Sequence, residues 1–269
     1  MSKIPLGQAT EYPHEYAPGV LCPVSRSTAR DALGIGAELP FHGNDLWNAW
    51  ELTWLDSRGQ PVVATATFSF DASSPNIVES KSLKLYLGSL AMTRFAAQAE
   101  LVHTLSSDLE KISGGDVEVT IHTARDAEAV TIRNLPGNCV DDLPMSRWAE
   151  QVDSNLLAAD NEIVTETIHS NLLRSLCPVT SQPDIGSVMV RYRGPRIEPA
   201  SFLEYVVSFR QHQDFHEACV ERMFLDVKAQ CRPEELTVYA RYNRRGGIDI
   251  NPFRTDFDDE PANLRLWRQ

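Results

Sequence analysis

The sequence predicts an α+β fold made of two like halves, on three observations. Paired runs of alternating apolar residues flank short polar turns, the pattern of antiparallel strands with one buried face. Apolar residues at steps of three and four come next, as on helices packed against one face of a sheet. The same order then recurs in the second half of the chain.

The first forty residues, 1–40, are rich in Pro and Gly and read as an irregular arm. From Trp47 onward Trp50, Leu52 and Trp54 alternate, the polar stretch DSRGQ breaks the pattern, and Val62, Ala64, Ala66, Phe68 and Phe70 resume it: a β-hairpin. Leu101, Leu105, Leu109 and Ile112 recur at helical steps until Gly114-Gly115 stops them, and Val117, Val119 and Ile121 alternate as a strand. The second half opens with a strand leading to Cys177 and a partner in SVMVRYRG (Ser187–Gly194). SFLEYVVSF (Ser201–Phe209) reads as a helix, and Phe215, Cys219, Met223, Val227 and Cys231 stripe a second one that Pro233 closes. Leu236, Val238, Ala240 and Tyr242 then alternate as a strand that runs on toward Arg244-Arg245-Gly246-Gly247. The interval from Phe95 to Val119 is close to that from Phe215 to Val238, so an internal duplication is expected, with halves 41–157 and 158–269 meeting near LAADNEIV.

With 42% hydrophobic and 23% charged residues, the 269-residue chain has the composition of a soluble globular protein, long enough for one large domain or two small ones. The opening MSKIPLGQATEYPHEY has neither apolar core nor basic flank, and no apolar run reaches the length of a membrane span. No leader and no membrane association are expected, and the cytoplasm is the expected compartment. Five cysteines (Cys22, Cys139, Cys177, Cys219 and Cys231) are odd in number and scattered without a CxxC pair, which favours reduced thiols and argues against structural zinc. The net charge of −12 repels nucleic acid overall, so a polyanionic ligand must be met by a local basic cluster. ESKSLK (Glu79–Lys84) and RYNRRGG (Arg241–Gly247) offer one each.

Several residues admit both a chemical and a purely structural reading. Cys177 opens CPVTSQPDIGS, a polar, turn-forming setting between prolines, and is either a buried apolar thiol or a nucleophile. Asp184, seven residues on, is either part of a Pro-Asp-Ile-Gly turn or a carboxyl that trades a proton with the thiol. In QDFHEACVER, Asp214 and Glu217 have the spacing of a capping box, while Glu217 is equally placed to accept two N–H bonds from a heterocycle with an amidine-like edge. His216 and Cys219 are spaced like two metal ligands on one helix turn, but no third ligand is evident, so no metal is expected. Glu79, Ser80 and Lys81 read as solvated surface or as part of an anion site, since Lys81 and Lys84 are the only lysines between Lys3 and Lys111. Arg244-Arg245-Gly246-Gly247 sets two guanidiniums beside flexible backbone, which suits phosphate, although no GxGxxG is present.

VESKSLKLYL, CPVTSQPDIGS, SFRQHQDFHEACVERMF and VYARYNRRGGIDINPFR resemble the signature segments of the NADPH-dependent 7-cyano-7-deazaguanine reductase family, QueF, in its long two-half form. LPFHGNDLW and GNCVDD resemble it too, and the likeness runs from about residue 20 to the end. It implies two tandem tunnelling-fold units with antiparallel sheets and helices on one face, NADPH as co-substrate, a small deazapurine nitrile as substrate, and no direct contact with nucleic acid. It also implies a homodimer of two-half chains. By the same resemblance Cys177 is the nucleophile that forms a thioimide, Asp184 the proton donor, and His216 and Glu217 the holders of the deazaguanine. Val78, Glu79 and Ser80 match further substrate contacts, and Ser80, Lys81, Arg245 and Gly246 match NADPH contacts. Two rival readings are a GTP-cyclohydrolase-like hydrolase, which needs a zinc site, and a non-catalytic purine- or pterin-binding protein. Neither His42 nor GNCVDD receives a chemical role.

Overall fold

A computed structural model of the chain describes residues 12–126, 131–258 and 262–269. They form two compact units, one drawing on the chain up to Gly36 and on Asp45–Thr131 and Arg244–Asp249, the other on Ala37–Asn44, Ile132–Asn243 and Ile250–Gln269.

The first unit contains β1 (Pro23–Ser25), α1 (Ser27–Ala32), β2 (Asn44–Leu55), β3 (Pro61–Asp71), β4 (Asn76–Val78), α2 (Ser80–Ser89), α3 (Gln98–Ser113) and β5 (Val117–His122). β2 and β3 flank the expected polar turn, and β5 adds antiparallel to β3 with Phe68 opposite Val119, giving the order β5-β3-β2. Leu101, Leu105 and Leu109 of α3 are buried and the helix ends at Gly114, as their spacing predicted. Two expectations fail here. The arm is not wholly irregular: β1 pairs with β4, Pro23 opposite Val78, and α1 follows at once. ESKSLKLYLGS is a helix rather than a surface stretch, with Leu83, Tyr86, Leu87 and Leu90 buried at steps of three and four beneath its charges.

The arm lies along α2 as a strap. The Ala17 N–H donates to Ser89 Oγ (3.2 Å) at one end of the helix, and at the other the Cys22 N–H donates to Ser82 Oγ (3.1 Å) while its carbonyl accepts from the Glu79 N–H (2.9 Å). Tyr16 and Tyr86 both donate their hydroxyls to Asp108 Oδ2, at 2.5 and 2.8 Å, so one carboxylate ties arm, α2 and α3 together.

The second unit contains β6 (Ile132–Arg133), β7 (Asn138–Cys139), β8 (Ala159–Leu176), β9 (Pro183–Ile197), α4 (Pro199–Ser208), α5 (His216–Cys231), β10 (Glu235–Tyr242), β11 (Ile248–Thr255) and β12 (Arg265–Leu266). Its sheet runs β11-β10-β9-β8-β7, antiparallel through β8, β9, β10 and β11. α4 is buried almost all round, and Cys219, Met223, Val227 and Cys231 form the predicted inward stripe of α5. The Arg244–Gly247 stretch does not continue a strand. It is a turn, and β11 follows it as a further strand that periodicity could not reveal because all eight of its residues are buried. His42 is structural, exchanging both main-chain hydrogen bonds with Thr255. GNCVDD is structural as well. Gly137 (φ +85°) passes so close to β8 that a Cβ there would stand 2.1 Å from the Thr167 carbonyl oxygen, and Asp141 accepts from Ser170 Oγ and from both the main chain and the amide of Asn171.

Burial, and then the Asp108 carboxylate beside it, push the Tyr16 phenol up to about 12. An unfolded tyrosine ionises near 10, so this contribution to stability is whole below about pH 10 and is lost as pH rises through about 12. A tyrosinate absorbance step near pH 12, absent in Tyr16→Phe, is expected; ionisation of Tyr16 near pH 10 with the arm still in place would contradict the strap.

Candidate active site

In the second unit, β8 stops at Leu176 because the next residues are Cys177-Pro178, and the chain returns at Pro183 into β9. The loop is tight: the Cys177 N–H donates to the Gln182 carbonyl and the Ser181 N–H to the Cys177 carbonyl, both at 2.9 Å. Ser175 stands opposite Asp184 in the β8–β9 ladder, so thiol and carboxyl leave the same end of the hairpin. Cys177 is 6% exposed and Asp184 3%.

The start of α5 meets this hairpin end. The Leu176 N–H donates to the His212 carbonyl (2.8 Å) and its own carbonyl accepts from the Asp214 N–H (3.2 Å). His216, the first residue of α5, lies with Nε2 3.5 Å from Asp184 Oδ1, its ring edge-on to Tyr242 of β10 at 4.1 Å. Glu217 follows, 3% exposed, in the first helical turn, where the helix dipole favours an anion. The capping box does not form. Asp214 Oδ1 accepts from the adjacent Phe215 N–H instead, and Phe215 takes the cap position with no side-chain cap bond.

α5 is anchored on its other side. Glu221 Oε1 accepts from Nε (3.1 Å) and Nη2 (2.9 Å) of Arg254, whose guanidinium also lies over the Phe41 ring. Cys219 is fully buried beside Ser175 and Tyr242. Burial first, and then the Asp214 carboxylate, push its thiol far up, so it stays a packing thiol. Among the described residues no three His, Cys, Asp or Glu side chains are grouped as a metal site.

The remaining predicted residues lie together in the first unit. Val78 ends β4, and the buried Glu79 caps α2, its two carboxylate oxygens accepting from the Lys81 N–H (2.9 Å) and the Ser82 N–H (2.7 Å). Ser80 and Lys81 open the helix, and Lys84 follows one turn on. Arg245 and Ile248 bracket a two-residue turn in which Gly246 (φ +58°) and Gly247 (φ +78°) both take left-handed backbone. A Cβ on Gly246 would stand 3.2 Å from Cδ and Cε of Lys84, so the lysine stem and the turn pack directly. Arg244 stacks over Trp50 at 5.2 Å. Sequence reasoning missed the α2 helix, which its apolar spacing at Leu83, Tyr86, Leu87 and Leu90 would have found, and the packing of Lys84 on Gly246, which no local pattern encodes.

Two family models match the chain: one described as nitrile reductase, 7-cyano-7-deazaguanine-reductase N-term, over residues 12–121, and QueF-like protein over 183–261. The chain is 50% identical over 267 residues to the NADPH-dependent 7-cyano-7-deazaguanine reductase of Chromohalobacter salexigens, covering 98% of this chain and 96% of that one. It is 47% identical over 268 residues to the protein of the same name from Desulfotalea psychrophila, covering 99% and 97%. A solved structure of archaeosine synthase QueF-Like in the apo form is 20% identical over 36% of this chain and 95% of its own, with a TM-score of 0.32. Among the described residues no helix is long and apolar enough to cross a membrane.

The Glu221–Arg254 pair, with side chains 3% and 0% exposed, is expected to be needed for the placement of α5. Glu221→Ala would remove the carboxylate that accepts two bonds from this buried guanidinium and should cost about 3–5 kcal/mol in denaturant unfolding. A loss under about 1 kcal/mol would show that the pair does not hold the helix.

Proposed function

The chain belongs to the 7-cyano-7-deazaguanine reductase family, QueF, and is an NADPH-dependent oxidoreductase acting on that nitrile in queuosine biosynthesis; we propose that it works through a thioimide on Cys177. The observation that carries this reading is the meeting of the Cys177–Gln182 loop, Asp184 and the first turn of α5 at one hairpin end. The sulfur of Cys177 bonds to the nitrile carbon, one C–N π bond opens, and the thiol proton passes by way of Asp184 to the nitrile nitrogen. A bare nitrile accepts hydride poorly, and the C=N of the thioimide accepts it better. NADPH supplies two hydrides in all. Between them the carbon–sulfur bond breaks and returns the thiol, and two protons complete the primary amine. Asp184, with His216 Nε2 3.5 Å away, is the residue proposed to move protons.

His216 and Glu217 are proposed to hold the deazaguanine. A buried carboxylate facing the donor-rich 2-amino lactam edge selects for it, because a base without those donors leaves the acid desolvated and unmatched. Val78, Glu79 and Ser80 are proposed as further substrate contacts on the family likeness alone. For the co-substrate, left-handed Gly246 and Gly247 leave the turn backbone open between the Lys84 stem on Gly246 and the Glu51 carboxylate on Gly247, and the cations of Lys81, Lys84, Arg244 and Arg245 are proposed to outweigh that one carboxylate. Ser80, Lys81, Arg245 and Gly246 would hold the co-substrate. A homodimer of two-unit chains, a cytoplasmic location and no direct contact with nucleic acid complete the proposal.

Intact mass of the protein mixed with the nitrile and no NADPH is expected to show one added substrate, mapped to Cys177. Cys177→Ala should lose turnover yet still bind the nitrile, and a variant that turns over normally would overturn the nucleophile role. NADPH should exceed NADH in kcat/KM by roughly ten- to hundredfold, the worth of one or two charge-assisted contacts to the 2′-phosphate, with the gap narrowing in high salt. Lys81→Met or Arg245→Met should close most of that gap. Equal use of both cofactors by the unaltered protein would exclude these residues as phosphate readers.

A further inference from the structure

Among the described residues, two non-glycine residues have positive φ, Arg232 at +52° and Ser181 at +57°. Arg232 has an ordinary cause, since it ends α5 in the left-handed cap conformation. Ser181 ends no helix. It lies inside the Cys177–Gln182 loop, its N–H bonded to the Cys177 carbonyl at 2.9 Å, in a conformation that glycine takes freely and serine does not. Strain of this kind persists only where neighbours over-determine it.

The neighbour here is Gln213. Its side-chain Nε2 donates to Ser181 Oγ at 2.7 Å. Its backbone pairs with Leu176, which is clasped between the His212 carbonyl and the Asp214 N–H. The 212–214 segment therefore grips the loop twice, by the main chain of His212 and Asp214 immediately before Cys177 and by the Gln213 side chain at the strained residue near the far end. The amide bond is exposed, and Gln213 also lines an open cleft of about 800 Å³ with Trp148, Arg210, His212 and Arg222. An exposed bond of this sort adds little to global stability, so its effect should be local to the loop.

We propose that Gln213 is a positioning residue: through Ser181 it holds the loop in its strained form and so aims the Cys177 sulfur for addition to the nitrile. The inference rests on Cys177 being the nucleophile. With the bond lost, Ser181 is free to relax toward negative φ, the loop loosens, and the sulfur becomes more accessible but less well directed.

The test follows adduct formation by intact mass under single-turnover conditions without NADPH, with alkylation of Cys177 by iodoacetamide as a second reading. Gln213→Ala and Ser181→Ala should each slow nitrile addition about tenfold, as a small misplacement of a reacting atom does, while alkylation speeds up and nitrile Kd and Tm stay near wild type. The double variant should be no slower than the slower single one, because both remove one interaction. Ser181→Gly, at ease at positive φ, should recover part of the rate lost in Ser181→Ala. Wild-type addition rates in both single variants, or effects that multiply in the double, would overturn the positioning role. Slowed addition with slowed alkylation and a matching fall in Tm would reduce it to general destabilisation, which also overturns it. Absence of any adduct in the unaltered protein would overturn the nucleophile reading, and this inference with it.

Discussion

Two hydrogen bonds on the main chain of Leu176 decide where the proposed chemistry is placed in the second unit. They join the end of the β8–β9 hairpin to the segment that enters α5, and they involve no side chain. Side chains on either side of that junction can therefore serve reactivity rather than assembly. Cys177 comes one residue after Leu176 and His216 three residues after Gln213, the bridge partner of Leu176, with Asp184 arriving across the ladder. The burial of Glu221 against Arg254 serves the same junction from behind, because a helix fixed along one flank cannot roll its first turn away from the hairpin.

Much of this could be read from residue order, for reasons that also explain the failures. Period-two runs such as Val62–Phe70 and the stripe Cys219–Met223–Val227–Cys231 bury one face each, so their spacing reports their geometry. β11 buries both faces and carries Pro252, which erases alternation and mimics a loop. α2 was hidden by the charges at its start, where Glu79 caps the helix that its neighbours decorate. The Asp214–Glu217 spacing suggested a capping box, but tertiary placement of Asp214 beside the Leu176 junction gave the cap position to Phe215. The grip of Gln213 on Ser181 spans 32 residues, and no local pattern encodes it.

The chain is acidic overall, with a net charge of −12, yet sets several cations close together in sequence, at the start of α2 and in the Arg244–Gly247 turn. Lys81 and Lys84 are set one turn apart on α2, and the Gly246-Gly247 turn packs onto the Lys84 stem. The cluster is local, so its attraction acts at short range while the remaining surface repels other polyanions.

The distribution of the five thiols bears on how the protein meets electrophiles. Cys139 is exposed on β7, while Cys22, Cys177, Cys219 and Cys231 are buried. Burial and the neighbouring Asp141 and Asp142 carboxylates raise Cys139 despite a main-chain bond that lowers it, so it is accessible without being activated. A general thiol reagent at high dose will mark Cys139 whatever happens at the hairpin end. Loss of activity on such treatment therefore identifies no particular sulfur until the labelled peptide is known, and a chain with serine at position 139 is the cleaner starting material for covalent probes.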